Sequence, residues 1–125
     1  MPRPRRLALG RQAHHLIQRG VDRQAIFFED RDRIVFLEQL AGALEAEDCA
    51  LHAYVLMTNH LHPLVTPARA EGTGLLMQSL GRRYMGHVNR RYGRTGTLWE
   101  GRFKSTIVNA EDYVRHSLSD ELLTA

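Results

Sequence analysis

Residues 49–67 read CALHAYVLMTNHLHPLVTP, two β-rich runs parted only by Thr58-Asn59. Strands joined by so short a link can only lie antiparallel, because a parallel return needs a long crossover. The link is tightest where one residue tolerates positive φ, and Asn59 is the residue here that would supply it. Side chains alternate across a strand, so His60 and His62 stand on one face of the second run while Leu61 turns toward the core. Pro63 donates no ladder hydrogen bond, which places it at an edge, a bulge or a strand end. The hairpin therefore fixes a two-sided sheet with a histidine pair on one side.

Around this hairpin the periodicity alternates. HHLIQRG reads as a short strand closed by Gly20. FFEDRDRIVFLEQLAGALEAED then changes to helical spacing, with Asp30 as N-cap and Ile34, Leu37, Leu40, Ala41 and Leu44 forming one apolar face. Beyond the loop ARAEGTG, residues Leu76, Leu80, Tyr84 and Val88 step by four along a second helix that ends near Gly93. RFKSTIVN supplies a last strand, and Asn109 with Asp112 opens a short helix over AEDYVRHSLSDELL. The order β-α-β-β-α-β-α predicts an α+β fold: a ferredoxin-like βαββαβ unit with an antiparallel sheet, both helices on one face, plus a short C-terminal helix. At 125 residues and 43% apolar composition, the chain suits one compact domain over 1–125, with a basic arm at 1–12.

A single cysteine, Cys49, excludes an intramolecular disulfide framework and fits a reducing compartment. No apolar run approaches the roughly 20 residues of a membrane span, and the start MPRPRRLALGRQ lacks the hydrophobic stretch of a secretory signal. Cytoplasmic placement without membrane association is expected. Charge is unevenly spread. Arg82, Arg83, Arg90, Arg91, Arg94, Arg102 and Lys104 against Glu100 give that segment +6 in a chain of net +3, leaving −3 for the remainder. Such a patch suits a polyanion, and with Trp99 and Phe103 interleaved it suits single-stranded nucleic acid, whose exposed bases can stack. Trp99 is equally placed to be a core anchor, and an arginine-rich helix face can be simple solvation. The pair His60 and His62 can hold one divalent cation, although two ligands do not close a site. His14, His15, His52 and His87 show no partners in the sequence.

Three blocks in order, RGVDRQAIFFED, AYVLMTNHLHPLVTP and NRRYGRTGTLWEGRFKS, resemble the single-tyrosine HUH transposases of the insertion-sequence type, in particular the branch of REP-associated tyrosine transposases. The resemblance runs from about Arg19 to Tyr113. It implies that His60 and His62, with a third polar ligand from a C-terminal helix, hold Mg²⁺ or Mn²⁺ at a scissile phosphate. It also implies a tyrosine on that helix that cleaves single-stranded DNA at the foot of hairpins, leaving a 5′-phosphotyrosine and a free 3′-OH for rejoining. Arg82, Arg83, Arg90, Arg91, Arg94, Trp99, Arg102 and Lys104 would grip the DNA. Members of this branch tend to be monomers and their insertion-sequence relatives dimers, so monomer or homodimer are both expected.

The C-terminal stretch departs from the family. Where the resemblance places the nucleophile, this chain has Ser119 or Asp120; the ligand one turn later falls on Leu123 or Thr124, and SLSDELLTA stands where an Asn-Pro and a further tail would follow. Residues 110–125 thus read as a remnant of the catalytic helix. On a helix, Tyr113 shares a face with Asp120 but lies about 10 Å back along the axis. It is the substitute nucleophile, or a residue that packs its helix on the sheet, and Asp120 is the substitute metal ligand. Leucine would be usual at Pro63, and a proline there would tilt His62. Two other classes of function fit the same residues: a hairpin-binding remnant that has lost catalysis, and a small hydrolase using water at the histidine pair.

Overall fold

The computed structural model describes residues 12–108. Strand β1 (His14–Arg19) runs into a 3₁₀ turn at Val21–Arg23, followed by helix α1 (Asp30–Ala46), strands β2 (Cys49–Leu56) and β3 (His60–Pro67), helix α2 (Gly72–Tyr92) and strand β4 (Lys104–Ile107). The sheet order is β2-β3-β1-β4, and each neighbouring pair is antiparallel. This is the expected α+β, ferredoxin-like arrangement: β3 lies between β1 and β2, which are joined through α1. The C-terminal helix expected over 110–125 and the basic arm to Arg11 lie outside the described residues. Among the described residues, no helix is long and apolar enough to cross a membrane.

Both helices cover one face. Leu16 from β1 and Leu61 and Val65 from β3 join Phe36, Leu40 and Ala43 of α1 and Leu76, Met77, Leu80, Tyr84 and Val88 of α2 in a single buried core. Within it Phe27, Phe36 and Tyr84 meet edge-on or tilted at 5.3–5.5 Å between ring centres, contacts worth about 0.5–1.5 kcal/mol each beyond the area they bury. The Tyr84 hydroxyl donates to the Ile26 carbonyl at 2.6 Å, so the polar tip of this buried ring is satisfied. The stepped face expected for α2 is the one buried, and Gly93 closes that helix in the left-handed conformation at φ 63°.

Helix α1 is turned relative to expectation. Its buried line is Asp32, Phe36, Leu40 and Ala43, whereas Ile34 is 57% exposed and Ala41 is exposed. The aromatic cluster draws Phe36 inward, and the carboxylate of Asp32 is buried as a cap. It accepts from the backbone N–H of Phe28 and Glu29 and from Tyr92 and His87. The N-cap is Glu29 in a reciprocal capping box with Asp32, and Asp30 is the first helical residue.

Two expectations for the hairpin are overturned as well. It forms through Met57–Asn59, closed by the Met57 N–H to the His60 carbonyl, and Asn59 is not among the positive-φ residues, so a three-residue link removes the need for a left-handed turn. Pro63 is buried within β3, a central strand. Its pairing with Tyr54 of β2 is intact, while on the β1 side the pairs skip from His15↔Leu64 to Gln18↔Leu61 without loss of register. A missing donor is thus accommodated by a gap of two ladder positions facing β1, and the bulge lies elsewhere, between Leu51 and Ala53.

Candidate functional site

The face of the sheet away from the helices carries His15, Ile17 and Arg19 from β1 and His60, His62 and Leu64 from β3, as the register requires. His60 and His62 stand side by side with ring centres 4.6 Å apart. His15 Nε2 lies 3.1 Å from His62 Nδ1, with the two rings stacked at 5.2 Å. His62 is 4% exposed, and its burial, followed by the neighbouring His60, His15 and Arg19, pushes its pKa down to about 4. It is therefore a neutral imidazole at physiological pH, the form that ligates a metal.

The hydrogen bonds also select ring nitrogens. Asn59 Nδ2 donates to the Arg23 carbonyl at 3.3 Å, which orients the amide so that its Oδ1 accepts from His60 Nδ1 at 2.9 Å. With Nδ1 protonated, the lone pair of His60 is on Nε2. When His62 Nδ1 donates to His15, its lone pair is likewise on Nε2. Partners of this kind fix the tautomer and raise ligand basicity at metal sites.

Two adjacent imidazoles, each able to carry a lone pair on Nε2, fit a divalent cation that accepts nitrogen donors. Nitrogen donors of this kind suit Mn²⁺ better than Mg²⁺, which prefers oxygen throughout. Among the described residues no group of three His, Cys, Asp or Glu side chains is arranged to hold a metal ion. The expected third ligand Asp120 and the expected nucleophile Tyr113 fall outside the described residues.

The basic segment is divided by the fold. Arg82, Arg83 and Arg90 are exposed on α2, in the helical layer on the other side of the sheet from the histidines. Arg91 pairs with Glu29 at 2.8 Å and lies over the Tyr92 ring, and Arg94 donates to Asn89 Oδ1 at 2.8 Å. Trp99 is half-buried against Tyr84, with ring centres 6.2 Å apart, and its Nε1 would lie 2.9 Å from a Cβ at Gly81. It serves as a packing residue joining the segment after α2 to the core. Arg102 is exposed, and Lys104, paired with Ile17 in β4, faces the histidine side.

Sequence reasoning passed over His15, Asn59, Arg19 and Arg23. The doublet His14-His15 on a strand was a signal that one of the two would share the face of His60 and His62. Asn59 immediately before His60 was another.

The IS200-like transposase model matches residues 10–116. The chain belongs to that family. Among solved structures, a REP-associated tyrosine transposase bound to a REP hairpin is similar at a TM-score of 0.73 and 14% identity, over 93% of this chain and 68% of the other. A proposed transposase from Deinococcus radiodurans R1 is similar at a TM-score of 0.62 and 18% identity, over 90% of this chain and 88% of that one. At these identities both likenesses establish the shared fold. None of the curated proteins matches the chain.

Proposed function

We propose that this IS200-like transposase is of the REP-associated tyrosine type, binds single-stranded DNA at the foot of hairpins, and acts by metal-assisted transesterification. The observation that carries this reading is the His60–His62 pair side by side on the sheet face opposite α1 and α2, with His62 held neutral by burial and His60 Nδ1 hydrogen-bonded to Asn59. A bound divalent cation, Mg²⁺ or Mn²⁺, would polarise the scissile phosphate and offset the charge developing on it. His60 and His62 would hold that cation through Nε2. The Tyr113 hydroxyl would attack phosphorus, losing its proton as the new O–P bond forms, and the 3′ oxygen would leave as a hydroxyl. A 3′-OH attacking the phosphotyrosine rejoins the strands without ATP. Asp120 would complete the ligand set, and the exposed arginines with Lys104 would hold the DNA backbone.

A second reading is favoured by one observation: Ser119 and Asp120 stand where the family resemblance places the tyrosine. In that reading the chain binds hairpins and does not cleave. End-labelled hairpin DNA incubated with Mn²⁺ or Mg²⁺ and then denatured separates the two. A covalent protein–DNA adduct that is lost in both Tyr113→Phe and His60→Ala establishes the strand transferase. Cation-dependent hairpin binding without an adduct establishes the binding module.

A further inference from the structure

Beside His60 the fold encloses an open cleft of about 390 Å³ lined by Arg19, Gly20, Arg23, Asn59, His60 and Glu100. Its walls come from three chain segments locked to one another. The Gly20 N–H donates to the Asn59 carbonyl at 2.9 Å, the Val21 N–H to Leu98 at 2.9 Å, and the Glu100 N–H to Arg19 at 2.9 Å. The turn between them is under-populated backbone: Asp22 and Arg23 are both left-handed, at φ 52° and 61°. Such residues persist only where their surroundings enforce them, a pattern that concentrates at binding sites. Gly20 is required by the same turn, since a Cβ there would lie 2.2 Å from the Gln24 carbonyl oxygen.

Three of the side chains lining the cleft are charged: Arg19, Arg23 and Glu100. Arg33, Arg69, Arg91 and Arg94 are engaged with Asp30, with Glu47 and Glu71, with Glu29 and with Asn89. By contrast, the guanidinium groups of Arg19 and Arg23 and the carboxylate of Glu100 make no hydrogen bond or ion pair among the described residues, and all three residues are exposed. Two cations flank a space of nucleotide size, with an acceptor-only group on its wall. Guanidinium forks fit phosphate oxygens. A carboxylate accepts from an exocyclic amino group and repels a carbonyl.

We propose that this cleft is a subsite for one unstacked nucleotide of single-stranded DNA, in which Arg19 and Arg23 bind the flanking phosphates and Glu100 selects a base that presents an amino group. The proposal rests on the reading that His60 and His62 face a DNA phosphate, because the cleft opens beside His60. It adds a base preference set by the protein at a position next to that phosphate. The two pyrimidines isolate the effect: cytosine offers an N4 amino donor where thymine offers an O4 acceptor.

The test is fluorescence anisotropy of labelled oligo-dC and oligo-dT of equal length at neutral pH, over a series of salt concentrations, with the full chain. Wild type is expected to bind oligo-dC about 5- to 10-fold more tightly than oligo-dT. Glu100→Gln, whose amide can donate to O4, should bring that ratio to within about 2-fold. Arg19→Ala and Arg23→Ala should each weaken both oligonucleotides and lower the slope of log K against log salt by about 0.7, the value for one phosphate on a single strand. Equal dC and dT binding by wild type, or a ratio unchanged in Glu100→Gln, overturns the base selection. Unchanged slopes in both arginine variants overturn the phosphate contacts. If these results come with intact hairpin binding and a covalent adduct, the subsite alone is wrong. If wild type binds no single strand, the subsite and the underlying reading fall together.

Discussion

At the level of single residues, the site is governed by which protonation states the fold tolerates. His62 is buried with its pKa pushed down to about 4, and the unfolded chain titrates it near 6.5. Above pH 6.5 both states hold it neutral and stability is unaffected. As pH falls from 6.5 toward 4, the unfolded chain takes up the proton first, so stability is lost across that window, by up to about 3 kcal/mol at its lower end. For Asp32, burial works to raise the pKa, but hydrogen bonds from Tyr92, His87 and the backbone N–H of Phe28 and Glu29 outweigh it and hold the carboxyl below its usual value. Its contribution is retained above pH 3.8 and lost only below that. Metal-free protein should therefore show a urea midpoint that declines between pH 6.5 and 4, with a shallower decline in His62→Gln; a flat profile shared by both would refute the burial argument. Asn59 gives a second residue-scale expectation. Asn59→Ala removes the acceptor that keeps the His60 proton on Nδ1 while leaving the backbone contact to Gly20 in place. Mn²⁺ affinity measured by calorimetry should fall about 10-fold or more, whereas equal affinity in the variant and wild type would show that the tautomer is set by something else.

At the level of elements, the strands and α2 were legible in the sequence because their patterns are local. The stepping of Leu76, Leu80, Tyr84 and Val88 corresponds directly to a buried helix face. The rotation of α1 was not legible. Ile34 and Phe36 are both apolar, and only the aromatic contacts with Phe27 and Tyr84, which come from elsewhere in the chain, decide which of them turns inward. The central position of Pro63 was hidden for a related reason: a ladder gap on one side of a strand depends on the register of a partner about fifty residues away. Trp99 illustrates how elements are fastened. The indole lies against α2 at a glycine, and a methyl group at Gly81 would fall 2.9 Å from Nε1. Gly81→Ala should thus displace the indole or strain the helix, at a cost of about 1–3 kcal/mol. Because the chain has one tryptophan, its emission reports directly. A red shift toward solvent-exposed emission with a lowered Tm is expected, and wild-type emission with wild-type Tm would mean that the contact is not made.

At the scale of the whole molecule, the sheet divides the basic segment 82–104 between two surfaces. Arg82, Arg83 and Arg90 project from the helical layer, whereas Lys104, Arg19 and the histidine pair belong to the opposite face. The histidine pair was readable because strand alternation is a two-residue rule. The division of the arginines was not, because it depends on which layer each segment joins after folding. A short single strand seated at His60 cannot rest on the outer side of α2 at the same time, whereas a hairpin has a duplex stem that extends beyond the site. Lys104→Ala should therefore weaken binding of a short single strand and lower its salt slope by about 0.7. The double variant Arg83→Ala, Arg90→Ala should leave that strand's affinity within about 2-fold. For a hairpin with a single-stranded foot, the same double variant discriminates two geometries. A loss of affinity with a salt slope reduced by nearly two phosphates, close to 0.9 each on duplex DNA, would mean that the stem wraps around the edge of the sheet onto α2. Unchanged affinity and slope would confine the whole DNA path to the histidine face and leave the helix arginines to solvation alone.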